Sequence, residues 1–130
     1  MADKKSVTAK MVDGRPVATV GEHTVSMRED EASPVDLLVV SLAGCASLTL
    51  QAILEKKRIT VEELDVDIEA TYSEDRPRRL TNMDMKFSVR APGLDREELE
   101  SSMEIAERYC PVHQTLVGGT DITTSGEIVS

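Results

Sequence analysis

Apolar and polar residues alternate along most of this chain, and one stretch abandons the alternation. Leu37 to Leu54, LLVVSLAGCASLTLQAIL, is eighteen residues without a charge in a protein that is 30% charged. Ser33-Pro34-Val35-Asp36 precede it and Glu55-Lys56-Lys57-Arg58 follow it. A Ser cap, a Pro at the first helical position, an acid in the first turn and bases in the last are the punctuation of a helix. Its apolar positions run around every face, so the pattern predicts a helix buried on all sides.

The flanking segments keep shorter periods. Upstream, Val7–Val12, Val17–Val20 and His23–Met27 read as strands, parted by turns at Asp13-Gly14-Arg15-Pro16 and Gly21-Glu22, which predicts an antiparallel meander. Downstream, Leu64, Val66, Ile68 and Ala70 alternate with acids and Thr71, and Met83, Met85, Phe87 and Val89 alternate with polar residues. Period two in both runs predicts a long hairpin. Asp95 and Glu98 suit a capping box for a second helix, which Leu99, Met103, Ile105 and Ala106 make amphipathic. Pro111 interrupts it after Tyr109-Cys110. A short helix over 112–117 and a last strand from Ile122 to Val129 complete the chain. The expected fold is α+β, a single domain over 1–130 with antiparallel strands, a central apolar helix and a second helix. One sheet covers one face of a helix, so a helix apolar all round also predicts an intimate homodimer.

Composition narrows the function classes. At 130 residues the chain has room for one core and not two. Aromatics are only 2%, so Val, Leu, Ile, Ala and Met must fill that core, and base stacking on single-stranded nucleic acid is disfavoured. A net charge of −9 repels phosphate backbones and anionic membranes, so neither nucleic acid nor membrane is an expected partner. Arg76-Pro77-Arg78-Arg79 reads as a solvated turn rather than a binding patch. The polar N-terminus has no apolar signal core, which predicts a cytoplasmic protein. The 37–54 run is slightly short for a membrane span and carries Ser41, Ser47, Thr49 and Gln51, so a core helix is the expectation.

The candidate chemistry rests on two thiols. Cys45 lies mid-helix, where the helix dipole does little, so it is either inert core filler or a nucleophile activated by a cation or base from elsewhere. Cys110 stands three residues before His113, a spacing open to a metal pair or a Cys/His nucleophile. A zinc site would need His23 and Cys45 as well, and nothing in the pattern supports that set, so His113 reads as a surface or structural residue. No glycine-rich phosphate loop, paired catalytic carboxylates or nucleotide fingerprint appears, and no cofactor or metal is expected. Two cysteines in a cytosolic chain make no structural framework, so a bond between them would be transient and catalytic.

Ser33-Pro34-Val35-Asp36-Leu37-Leu38 with Ala43-Gly44-Cys45, followed by Tyr109-Cys110-Pro111-Val112, resembles the OsmC/Ohr family of thiol-dependent peroxidases. The order of elements matches over nearly the whole chain. Leu42-Ala43-Gly44-Cys45 and Arg108-Tyr109-Cys110-Pro111 are worded like the YhfA-like branch. The resemblance implies an interwoven homodimer with Cys45 as the peroxidatic and Cys110 as the resolving cysteine. A small-molecule peroxide is then the substrate, a Cys45 sulfenic acid and a Cys45–Cys110 disulfide the intermediates, and an external dithiol the reductant. It also implies an activating arginine from the N-terminal strands, for which Arg15 is the first candidate and Arg28 the second. The peroxidase branch carries Glu directly after the helix-opening proline, where this chain has Val35, which accepts no hydrogen bond. Asp36, nine residues before Cys45, falls about 180° around the helix. That departure keeps a second expectation open, a non-catalytic or weakly active relative that binds a small apolar ligand at the dimer interface.

Overall fold

A computed structural model describes residues 3–130, in two compact units, the first ending at Leu38 and the second spanning Val39–Ser130. In the first, β1 (Val7–Val12), β2 (Arg15–Val20) and β3 (His23–Ser26) form an antiparallel sheet in chain order. Val12 pairs with Arg15, so the first turn is narrower than the composition suggested and only Asp13 and Gly14 lie in it. Both hold positive φ, 52° and 80°, the two-residue hairpin turn that Asp-Gly favours. Arg15 and Pro16 thereby join the ladder of β2.

Helix α1 runs Pro34–Lys56. Its cap is reciprocal: the Asp36 amide donates to Ser33 Oγ at 3.1 Å, and the Ser33 amide donates to Asp36 Oδ2 at 2.9 Å. Two of the amides that every helix start leaves unpaired are thus satisfied by the short sequence that announced it.

The second unit continues with β4 (Glu63–Tyr72), β5 (Leu80–Arg90), α2 (Arg96–Tyr109), α3 (Pro111–Leu116) and β6 (Asp121–Ile128). The β4–β5 hairpin pairs Val66 with Phe87 and Ile68 with Met85, as the alternation predicts. Asp95 caps α2, its Oδ1 accepting from the Glu98 amide at 2.8 Å. Glu98 does not complete the box and pairs with Lys57 Nζ at 2.7 Å. One expectation fails: β6 lies beside β5 in parallel, not antiparallel, giving the sheet order β4-β5-β6. The reason is the connection, since α2 and α3 carry the chain back to the end of the sheet where β5 began, as a crossover must.

The core lies between this sheet and the helices. Leu42, Ala46, Leu50 and Leu54 of α1 are buried with Met83, Met85, Phe87 and Val89 of β5 and Leu99, Met103 and Ala106 of α2. At Gly126 of β6, a Cβ would stand 2.6 Å from Met103 Sδ, so any side chain there would make the end of Met103 shift. The helix α1 is not buried on all sides within the chain. Its buried residues recur every four positions, one stripe, while Val40 and Leu48 are 59% and 74% exposed. Three strands offer one face, and the remaining apolar side of α1 finds nothing in its own unit to cover it. The helix is long and apolar enough by composition to cross a bilayer, but its buried stripe belongs to this core.

Because Leu50 is fully buried, Leu50→Ala should lower unfolding free energy by about 3 kcal/mol. Denaturant titration of the variant checks this, and a loss no larger than that of an exposed-residue control would contradict the packing described.

Candidate active site

Cys45 precedes Ala46 of the buried stripe and sits at its edge, half-buried. Cys110 occupies the junction of α2 and α3, serving as C-cap of one and N-cap of the other. Its amide donates to the Ala106 carbonyl at 2.9 Å, and its carbonyl accepts from the Gln114 amide at 3.0 Å. Pro111 is tolerated there because the first helical residue needs no amide hydrogen. Both main-chain groups being committed, the residue is held in extended backbone, with its side chain 1% exposed. The Cys110 thiol lies close enough to the side chain of Cys45 for the two to influence each other's charge. Residues 65 positions apart in sequence therefore meet, and both are free thiols.

Burial pushes the Cys110 thiol above its ordinary pKa, because the thiolate would lose its hydration. The backbone amides of His113 and Val112 face the sulfur and pull the other way, without closing a full capping bond. The neighbouring Cys45 adds to the upward push, in part through like-charge repulsion. The pair is thus asymmetric: one thiol is half-buried, and the other is buried and held neutral.

The other expected residues are described within their own units. Arg15 opens β2 and is exposed, in the first unit, whereas both thiols belong to the second. Arg28 follows β3, and its carbonyl accepts from the Glu31 amide at 2.9 Å. Asp36 is committed to the α1 cap, and Val35 is 37% exposed. His23 is exposed in β3. His113, expected at the surface or in a structural role, is buried at 6% exposure, and its Nδ1 has no hydrogen-bond partner. Among the described residues no three His, Cys, Asp or Glu side chains gather as a metal site.

A groove of about 710 Å³ starts one turn beyond Cys45 along α1. Leu48, Thr49, Ala52 and Ile53 form one wall, and Ile105 and Tyr109 of α2 form the other. Lys56 and Lys57 stand at its far end, Lys57 already bonded to Ser102 Oγ at 2.8 Å and to Glu98. The uninterrupted apolar run of α1 was the only sign of this surface in the sequence, because the opposite wall belongs to a helix whose placement the sequence does not state.

The asymmetry sets an order of reaction. Iodoacetamide should label Cys45 first, and Cys110 should resist until the pH stands well above about 8.5, the ordinary cysteine value. The raised value in the folded chain means that folding retains a proton which the unfolded chain gives up. Its stabilising contribution is therefore complete below the unfolded value and lost as the pH rises through the folded one. Mass mapping of labelled peptides against pH checks the order, and equal labelling at neutral pH would contradict it.

Known proteins share sequence and fold with this chain. Residues 27–125 match the family described as OsmC-like protein. Protein YhfA of Escherichia coli K12 is 28% identical over 99 residues, covering 75% of this chain and 74% of that protein. A protein named hydroperoxide reductase from Mycoplasma genitalium is 25% identical over 128 residues, covering 91% of this chain and 90% of its own length. The crystal structure of an OsmC-like protein from Mycoplasma pneumoniae superposes with a TM-score of 0.87 at 19% identity, over 100% of both chains, which shows a shared fold. With both thiols inside the matched segment and the fold reproduced end to end, the chain belongs to the OsmC-like protein family.

Proposed function

We propose that this protein is a thiol-dependent peroxidase that reduces organic hydroperoxides or hydrogen peroxide. The observation that carries the proposal is the unequal pair of neighbouring free thiols, one half-buried and one buried. The Cys45 thiolate attacks a peroxide oxygen, the O–O bond breaks, and an alcohol or water leaves, with sulfenic acid formed on Cys45. Cys110 then attacks that sulfur, water leaves, and a Cys45–Cys110 disulfide forms, which an external dithiol reduces. Holding Cys110 neutral keeps it from competing for peroxide while Cys45 reacts. The name of the Mycoplasma genitalium relative, hydroperoxide reductase, supports this assignment.

Arg15 is the proposed activating cation and Arg28 the next candidate; a guanidinium beside Cys45 would favour its thiolate. The whole chain acts as a single OsmC-like domain in a cytoplasmic homodimer. The uncovered apolar side of α1, with Val40 and Leu48, supports a second copy as its cover. If so, Val40→Glu with Leu48→Glu should halve the sedimenting mass, and a wild-type monomer would contradict the dimer. A second function, binding of a small apolar ligand, is favoured by the groove lined by Leu48, Ile53, Ile105 and Tyr109 and by Val35 where the peroxidase branch has Glu.

Steady-state turnover of cumene hydroperoxide with dithiothreitol separates the two functions. Turnover should vanish in Cys45→Ser, and in Cys110→Ser a single turnover should leave a sulfenic acid that dimedone captures. A wild-type protein that leaves the hydroperoxide untouched and keeps both thiols would remove the peroxidase and leave the ligand-binding function.

A further inference from the structure

His113 and Thr124, whose Nδ1 and Oγ1 are buried without a hydrogen-bond partner, both line one small cavity in the second unit. Cys110 and Glu107 line it as well, and Met85 and Phe87 of β5 are among its apolar lining residues. Its volume of about 10 Å³ admits one water and nothing larger. Such a water needs two to four polar partners, and the cavity supplies an imidazole nitrogen, a hydroxyl and a thiol. The alignment is built by two separate elements: α3 carries His113 three residues after Cys110, and the β5–β6 ladder sets Thr124 opposite Met85.

We propose that His113 and Thr124 bind a single water beside Cys110, and that this relay accepts the proton of the Cys110 thiol as its sulfur attacks Cys45. The inference rests on Cys110 acting as the resolving cysteine. In the resolving step the Cys110 S–H bond breaks and its electron pair forms the S–S bond. The S–O bond of the Cys45 sulfenic acid breaks, and the hydroxyl departs as water after taking a proton from solvent. The Cys110 proton passes through the bound water to His113 Nδ1, and from the imidazolium to solvent. Cys45 is reduced and Cys110 oxidised by one electron each relative to the sulfenic acid and the thiol. Thr124 orients the water and is a positioning residue. The ionisable groups facing His113 across the cavity are Cys110 and Glu107, while β5 and β6 present none there. Burial keeps the Cys110 proton in place at neutral pH, so a base at this position has a step to accelerate.

The same proton leaves Cys110 whatever group leaves Cys45, so the relay can be tested without peroxide. One equivalent of methyl methanethiosulfonate converts Cys45 to its methylthio mixed disulfide, releasing methanesulfinate. Attack by Cys110 then expels methanethiol and forms the Cys45–Cys110 disulfide. Intact-mass sampling from acidic to alkaline pH times this second step in the wild type, His113→Gln and Thr124→Val. His113→Gln should slow the second step by about 100-fold near neutral pH, a typical loss for a general base. It should rejoin the wild-type rate at alkaline pH, where hydroxide removes the proton directly. Thr124→Val should show a smaller loss of the same pH form. Wild-type rates in both variants, or a slowing that is equal at every pH, would overturn the relay. Failure of the peroxidase assignment would instead appear as a wild type that completes both thiosulfonate steps but ignores cumene hydroperoxide.

Discussion

Burial of the Leu42–Ala46–Leu50–Leu54 stripe against β5 and α2 is the constraint on which the rest of the second unit depends. It fixes the rotation of α1 about its own axis. Cys45, next to Ala46, is thereby placed at the rim of the core, neither lost inside it nor projected into solvent. The same packing leaves Val40 and Leu48 outward, so the helix is divided between a face that builds the fold and a face that remains apolar and uncovered. A thiol on the boundary can be shielded by the protein and still be reached.

The second thiol is delivered by backbone geometry rather than by packing alone. Pro111 ends α2 and begins α3, and the extended residue between them has both main-chain groups committed, which turns its side chain inward. The α2–α3 crossover returns the chain so that β6 lies parallel to β5, bringing Thr124 under the same junction. At Gly126 α2 packs closely on β6, and an added Cβ would press on the ends of the Met103 and Leu99 side chains. Site and topology are therefore not separable: an antiparallel β6 would place other residues beneath Cys110.

Much of this was legible in the sequence, where local signals and tertiary structure agree. The caps at Ser33 and Asp95, the alternation of the β4–β5 hairpin and the Asp-Gly turn each have a cause within a few residues, and each appears where expected. The direction of β6 was not legible, because alternation reports which face of a strand is buried and not which neighbour it pairs with. Which face of α1 its own chain covers was not legible for a related reason: an apolar residue such as Leu48 looks the same in sequence whether its own chain covers it or not. The motifs single out the two thiols, and their meeting is a property of the fold. The sequence leaves His113 between a surface and a structural role because a histidine carries no sequence mark of burial, and Thr124 is one polar residue in an alternating strand.

The central claim is that Cys45 and Cys110 of one chain form a single redox centre. Its most direct test is disulfide mapping after one equivalent of cumene hydroperoxide, with peptides separated under non-reducing conditions. The account predicts one linked pair, Cys45 to Cys110 within the same chain, formed without loss to sulfinic acid. Linkage between chains, or over-oxidised Cys45 beside an untouched Cys110 thiol, would contradict it.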